Sequence, residues 1–277
     1  MSSIVIDFQR HWFGLCLLMA LISTSVLIGC ASSTEPGASG ASRADLVTDS
    51  DESSARKRAR IRVELAMGYL EQGKTTIALD EVKLALAADP DFADAYSLRG
   101  LIYMRLNELP LAQDSFLKAL AVRPRDPNIL HNLGWLRCQQ ARYPEALADF
   151  SMALSDPAYG ERAKTYMAQG LCQIRAGQRR EAEQSLLKAY EFDAANPVTG
   201  YNLANLLFQN ADFARAQFYI RRLNNSEWAN AESLWLGVKV ENRMADRVAM
   251  LQLATQLEKR FPQSKEAAAY RRGAFDE

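Results

Sequence analysis

The side chains best able to do chemistry in this chain of 277 residues are four cysteines and two histidines. The cysteines stand at positions 16, 30, 138 and 172, so none has the C-x-x-C spacing of a zinc ribbon or a thiol redox site. The sequence contains no glycine-rich phosphate loop and no cluster of metal ligands. Base or nucleophile chemistry would depend on His131 alone, because His11 lies in a segment that we expect to be removed. We therefore expect neither an enzyme nor a metal or cofactor site.

Cys30 has the sequence surroundings of a lipidated cysteine. A charged start precedes an apolar run over residues 12–28, as in a secretory signal peptide. The run ends in Leu-Ile-Gly-Cys, which resembles the bacterial lipobox, where a dedicated peptidase cleaves and leaves a diacylated cysteine as the new N-terminus. We predict a signal peptide over residues 1–29, a covalent lipid on Cys30 and loss of Cys16 with the peptide. The alternative is an uncleaved signal anchor with a chance cysteine, although the run is short for a membrane span.

Residues 31–55 have the composition of a flexible tether, because nearly all of them are small or polar. A chain of this length and composition reaches roughly 25 to 30 Å, enough to hold a domain off a membrane surface. By resemblance to lipoprotein sorting rules, Ala31 rather than an aspartate after the cysteine favours the outer membrane. We therefore predict a lipidated tether over residues 30–55, handled by the lipoprotein sorting machinery and anchored at the periplasmic face of the outer membrane. That compartment is oxidising.

The charge balance argues against nucleic acid as a partner. The chain has 33 Lys plus Arg against 33 Asp plus Glu, so it has no net positive charge for a polyanion. One short basic run extends from Arg56 to Arg62. It is either a solvated face of the first helix or, because it directly follows the tether, a contact with anionic lipid head groups. Nothing after residue 30 is apolar over the roughly 20 residues that a membrane span needs.

The elements that must position the remaining cysteines and His131 form a repeat with a period near 34 residues. A small residue recurs in the first helix, at Ala66, Gly100, Gly134, Gly170, Ala204 and Gly237. An alanine recurs in the second helix, at Ala78, Ala112, Ala146, Ala182, Ala216 and Ala249. A large apolar residue follows that alanine four positions later, at Val82, Phe116, Phe150, Leu186, Ile220 and Leu253. Two antiparallel helices approach closely only where one offers Gly or Ala, so the pattern predicts six helix pairs.

This pattern resembles the tetratricopeptide repeat (TPR). It implies an all-α fold, a right-handed superhelical solenoid of six TPR helix pairs with a C-terminal capping helix, over residues 56–277. The repeats are predicted at 59–92, 93–126, 127–162, 163–196, 197–229 and 230–262, with the capping helix over 264–275. We expect a loop near 155–160, and we expect prolines to stop the second helices, at Pro90, Pro124, Pro157, Pro197 and Pro262.

The concave groove of such a solenoid is the predicted binding surface. TPR arrays generally present positions 2, 5, 9 and 12 of each first helix to a peptide or a partner helix. The predicted groove residues are Val63, Met67, Leu70, Leu101, Met104, His131 and Trp135. Their mostly apolar character indicates an apolar partner segment rather than an acidic C-terminus. The alternative for any one of these side chains is that it packs under the neighbouring repeat.

Cys138 and Cys172 lie at similar positions in the first helices of repeats three and four. These helices are neighbours in the stack, so a disulfide between the two thiols is compatible with an oxidising compartment. The alternative is a pair of buried free thiols, because the sequence does not fix the separation of the two Cα atoms.

Three segments resemble a narrower family. They are residues 130–135 with 142–146, residues 158–162 leading to 169–172, and residues 230–237. All three look like the type IV pilus biogenesis lipoproteins of the PilF/PilW family, also called pilotins. The similarity runs through the whole repeat region and includes the loop near 155–160.

The resemblance implies a function and two sites. Members of this family help secretin subunits reach the outer membrane and assemble there, and some carry a disulfide between repeats three and four, which corresponds to Cys138 and Cys172. Secretin contact is attributed to the grooves of the first repeats, which corresponds to Val63, Met67, Leu70, Leu101 and Met104. We therefore expect a monomeric escort for secretin subunits. The alternative is a TPR scaffold lipoprotein that organises β-barrel assembly or cell-wall hydrolases.

Overall fold

The computed structural model describes residues 51–276, and within that range it contains thirteen α-helices and no strand. The helices are α1 (Ser54–Glu71), α2 (Thr75–Ala88), α3 (Ala93–Arg105), α4 (Leu109–Val122), α5 (Pro127–Gln139), α6 (Tyr143–Leu154), α7 (Arg162–Arg175), α8 (Arg179–Phe192), α9 (Pro197–Gln209), α10 (Phe213–Asn224), α11 (Ala231–Arg243), α12 (Arg247–Arg260) and α13 (Lys265–Arg271). The predicted signal peptide, Cys30 and most of the predicted tether lie outside the described residues.

The first twelve helices form six consecutive pairs, and α13 packs on the last pair. Each second helix also contacts the first helix of the next repeat, and α1 with α3, α3 with α5 and α5 with α7 form contacts along an inner row. The prediction of six TPR helix pairs with a closing helix is therefore confirmed. The starts of α3, α5, α7, α9 and α11 lie within one residue of the repeat starts proposed from the sequence.

The recurring small residue of the first helix is the point of closest approach within a pair. A Cβ atom added to Gly100 would lie 2.5 Å from the Phe116 ring, and one added to Gly134 would lie 2.9 Å from the Phe150 ring. Distances this short are essentially never seen for real Cβ atoms, so any larger residue would force the ring to shift. The sixth repeat is looser, because Ala249 and Leu253 are only partly buried, whereas their counterparts in the other five repeats are fully buried.

A left-handed backbone residue terminates the first helix of every repeat. The residues are Gly73, Asn107, Ala141, Gly177, Ala211 and Ala245, with φ between 58° and 76°. Glycine and asparagine adopt this conformation readily, whereas alanine has a steric penalty. Because four of the six positions hold alanine or asparagine, glycine marks this turn in only two of the repeats.

Three predicted boundaries differ from the structure. Pro197 begins α9 instead of stopping the previous helix, since a proline ring suits the first turn of a helix, where no N–H partner is needed. The capping helix ends at Arg271, and Gly273 turns the chain with a φ of 68°. Helix α1 begins at Ser54, inside the predicted tether, because the side chain of Ser53 caps it by accepting from the N–H of Arg56 at 3.1 Å.

No helix among residues 51–276 combines the length and the apolar character needed to cross a membrane.

The close approach within repeat two can be tested with two glycine substitutions. Gly100→Ala should lower the free energy of unfolding by about 1 to 3 kcal/mol, because its methyl group would overlap the Phe116 ring. Gly200→Ala is the matched control in α9, where an added Cβ has no atom within 4 Å. That variant should be unchanged or up to about 1 kcal/mol more stable. Urea unfolding followed by circular dichroism measures both, and equal effects would contradict the packing described.

Candidate functional site

The inner row of helices contains an apolar groove between repeats one and two. A cavity of about 480 Å³ opens between α1 and α3, with Val63 and Met67 on one side and Leu98 and Leu101 on the other. Val63 and Met67 are four residues apart and so lie on one helix face. Met67 is 49% exposed and Leu101 36%, whereas Val63 is only 8% exposed. The groove therefore has a buried apolar floor and two accessible apolar side chains above it.

Charged side chains border this groove. Arg60 pairs with Glu52 at 3.2 Å and with Glu64 at 3.0 Å, and these hydrogen bonds raise the pKa of Arg60. Arg56 pairs with Asp89, and its guanidinium lies 5.0 Å from the centre of the Phe92 ring. The Arg60–Glu64 pair is solvent-exposed and contributes little stability, whereas the Asp89 partner of Arg56 is largely buried.

Much of the basic run is engaged by the folded repeat. Besides Arg56 and Arg60, Arg62 donates to Glu81 at 2.7 Å. Three of its arginines therefore form ion pairs within the first helix pair and its flanking residues.

Only some of the predicted groove residues line the groove. Val63, Met67 and Leu101 lie together around the cavity. Leu70 and Met104 are instead partly buried in the cores of repeats one and two, and Trp135 packs against the core between repeats three and four.

His131 is the clearest correction to the predicted groove, because it is only 6% exposed and cannot meet a partner. His131, Leu70, Met104 and Trp135 pack against residues of neighbouring helices. Their spacing in the sequence alone does not reveal this packing. Sequence reasoning missed Leu98, whose position three residues before Leu101 on the same helix face was the available signal.

His131 belongs to a buried polar network at the junction of repeats three and four. Its Nδ1 lies 2.8 Å from the hydroxyl of Thr165, and that hydroxyl lies 2.8 Å from the hydroxyl of Tyr159 in the loop after α6. Burial, with a smaller effect from the charge of Lys164, lowers the pKa of His131 to about 4. The imidazole is therefore neutral near pH 7 and acts as a hydrogen-bonding core residue. No group of three or more potential metal ligands occurs in the described part of the chain.

A disulfide crosses the same junction. Cys138 of α5 and Cys172 of α7 are bonded, with 5.8 Å between their Cα atoms, and both are buried. Beside it, the guanidinium of Arg175 lies 5.0 Å from the centre of the Trp135 ring. A bond across a sequence separation of 34 residues restricts the unfolded chain, which stabilises the folded state by about 2 to 4 kcal/mol.

Comparison with known proteins gives consistent matches. Two family models of the tetratricopeptide repeat match residues 63–128 and 115–148. The type IV pilus assembly protein PilF of Pseudomonas aeruginosa is 28% identical over 240 residues, which cover 87% of this chain and 91% of that protein. Its solved structure covers 80% of this chain and 100% of the P. aeruginosa chain, with a TM-score of 0.72 and 26% identity. The structure of PilW, described as a widely conserved type IV pilus biogenesis factor, has a TM-score of 0.70 and 28% identity, covering 76% of this chain and 97% of its own.

The low pKa of His131 predicts a specific loss of stability in acid. Its folded pKa of about 4 lies below its unfolded value of 6.5, so the folded state binds fewer protons between these values. Above pH 6.5, His131 is neutral in both states and does not lower the free energy of unfolding. As the pH falls from 6.5 towards 4, protonation of His131 in the unfolded chain lowers the free energy of unfolding by up to about 3 kcal/mol. His131→Asn keeps a polar group beside Thr165 but does not titrate. Chemical denaturation from pH 7.5 to 4 should give a steeper decline for wild type than for this variant, and parallel curves would contradict the assignment.

Proposed function

We propose that this PilF/PilW-like tetratricopeptide repeat protein is a lipid-anchored binding protein of type IV pilus biogenesis that escorts secretin subunits to the outer membrane and promotes their multimerisation. The observation that carries the proposal is the similarity to PilF across nearly the whole repeat array. The apolar groove between α1 and α3 provides the binding surface.

The groove chemistry suits an apolar segment of a secretin subunit. Val63 and Leu98 form a buried floor. A partner side chain that enters the groove therefore removes apolar surface of both proteins from water, which favours binding. Met67 is flexible and polarisable, which allows it to fit a partner side chain of irregular shape. The paired arginines and carboxylates at the rim favour a segment with polar residues on either side of its apolar anchor.

The lipid on Cys30 determines where the protein carries its bound secretin. In this proposal the lipid on Cys30 brings the protein into the lipoprotein sorting machinery, which delivers it with its bound secretin to the periplasmic face of the outer membrane. Confinement to that surface raises the local concentration of secretin subunits, and a higher concentration favours their assembly. The tether allows the groove to reach partners roughly 25 to 30 Å from the anchor.

Charge placed in the groove should weaken secretin binding. Met67→Glu would bring a carboxylate into the interface without a partner, and we expect at least a tenfold loss of affinity. Leu84→Glu is the matched control, since Leu84 is 49% exposed like Met67 but lies on α2, outside the groove lining. Titration of purified secretin subunits into each full-length variant measures the affinities. If Met67→Glu bound like Leu84→Glu, the groove assignment would be wrong.

Removal of the lipid site should leave secretin unassembled even when the groove is intact. Cys30→Ala blocks acylation, so we expect secretin to remain monomeric or to accumulate away from the outer membrane. Membrane fractionation followed by gel electrophoresis without heating separates rings from monomers. Normal levels of assembled rings in the outer membrane would refute the escort mechanism, and co-purification with β-barrel assembly factors or cell-wall hydrolases, with pili unaffected, would instead support the scaffold alternative.

A further inference from the structure

The loops that join one repeat to the next lie along one edge of the solenoid, because each second helix ends there and the next first helix begins there. The start of α1 lies at this edge too. Arg56, in its first turn, donates to the backbone carbonyl of Asp91 in the loop after α2, at 3.1 Å. The chain that carries the predicted lipid on Cys30 therefore joins the solenoid at this edge.

Three large apolar side chains protrude from the edge around repeat five. Phe192 at the end of α8 and Trp228 in the loop before α11 are each 56% exposed, and Val198 in the first turn of α9 is 46% exposed. Trp228 and the loop residues 194–197, which separate Phe192 from Val198, line one cavity, so the three side chains belong to one patch. Exposed tryptophan and phenylalanine beside polar groups are typical of surfaces that lie at a membrane interface.

The cavity beside Trp228 carries one charge of each sign. Its volume is about 340 Å³, and Arg222 and Glu227 are the charged residues among those that line it. Within the described part of the chain, the side chains of Arg222 and Glu227 form no ion pair and no hydrogen bond. The guanidinium of Arg222 lies 5.8 Å from the centre of the Tyr190 ring. A ligand with both a positive and a negative group can therefore pair with both side chains at once.

We propose that this edge docks on the membrane that holds the lipid anchor, with the head group of phosphatidylethanolamine in the cavity. The phosphate pairs with Arg222 and the ammonium group with Glu227, while Phe192, Val198 and Trp228 enter the boundary between head groups and acyl chains. A surface of anionic head groups alone would attract Arg222 but repel Glu227.

This inference rests on the membrane anchor of the proposed function. Because the tether confines the solenoid near the membrane, a contact that is weak in free solution becomes populated. None of the three apolar side chains lines the groove between α1 and α3, so docking leaves that groove accessible to secretin. The edge thus determines how the anchored solenoid is oriented when it meets its partner.

The test couples the chain from Cys30 to Glu277 to a maleimide lipid in vesicles. Cys138 and Cys172 are bonded to each other, so without reductant the Cys30 thiol is the one available for coupling. This attachment requires neither acylation in cells nor secretin. Failure of the proposed function, seen as an unmodified Cys30 in cells or as absence of secretin binding, is therefore distinct from failure of the docking test.

Trp228 reports docking through its fluorescence. Phosphatidylethanolamine with brominated acyl chains should quench the emission of wild type but not that of Trp228→Tyr, since Trp135 and Trp235 pack against the cores of their own repeats. Vesicles of brominated phosphatidylglycerol alone should quench wild type less.

Two double variants test the patch itself. Phe192→Ser with Val198→Ser should lower the ratio of docked to free solenoid by about tenfold, because two apolar side chains no longer leave water. Phe218→Ser with Val248→Ser is the matched control, an exposed Phe and Val in the middle of α10 and at the start of α12, and it should dock as wild type does. Glu227→Gln should abolish the preference for phosphatidylethanolamine. Circular dichroism checks that each variant is folded.

The proposal is overturned if brominated phosphatidylethanolamine quenches wild type no more than Trp228→Tyr, or if the two double variants dock equally well. Equal quenching of wild type by brominated phosphatidylglycerol also overturns it. So does a shift of Trp228 emission on addition of purified secretin subunits without vesicles, because the edge would then be a protein interface.

Discussion

The close approach of two helices at one small residue is the constraint on which the structure depends. In repeats two to four the glycine of the first helix lies directly against the large side chain of the second, and any Cβ there would overlap it. This contact fixes how each pair packs, and the pair in turn determines which face the first helix offers to the next repeat. Since a single pair cannot bury both faces alone, the inner row and the groove between α1 and α3 follow from six repetitions of one contact.

The same constraint explains why the fold is readable from the sequence. Small and large residues must alternate between the helices at fixed positions, so the period appears without any alignment to other proteins. The groove is less readable, because Met67 and Leu70 have similar apolar side chains but only Met67 is exposed. Which of them packs depends on the angle between successive repeats, and that angle comes from many contacts together. For the same reason His131, at a groove position by its spacing, is enclosed by Thr165 and the loop that carries Tyr159.

The junction of repeats three and four is reinforced more heavily than the spacing pattern requires. The two extra residues between these repeats form a loop that is anchored through Tyr159, and the disulfide joins α5 to α7 nearby. In a solenoid each repeat contacts only its neighbours, so a weak junction would let the array separate there. A covalent bond and a buried hydrogen-bond network at one junction hold the two halves in register. The cost is a histidine that must stay neutral, which limits stability in acid.

The position three residues after the small residue of each first helix varies in chemistry, whereas the glycine contact does not. In repeats one and two this position holds Tyr69 and Tyr103, whose rings are partly buried. In repeat four it holds Gln173, yet a Cβ added to Gly170 would still lie 2.7 Å from Leu186. A repeat array can in this way change the chemistry of one repeat while the contact that sets its helix packing stays the same.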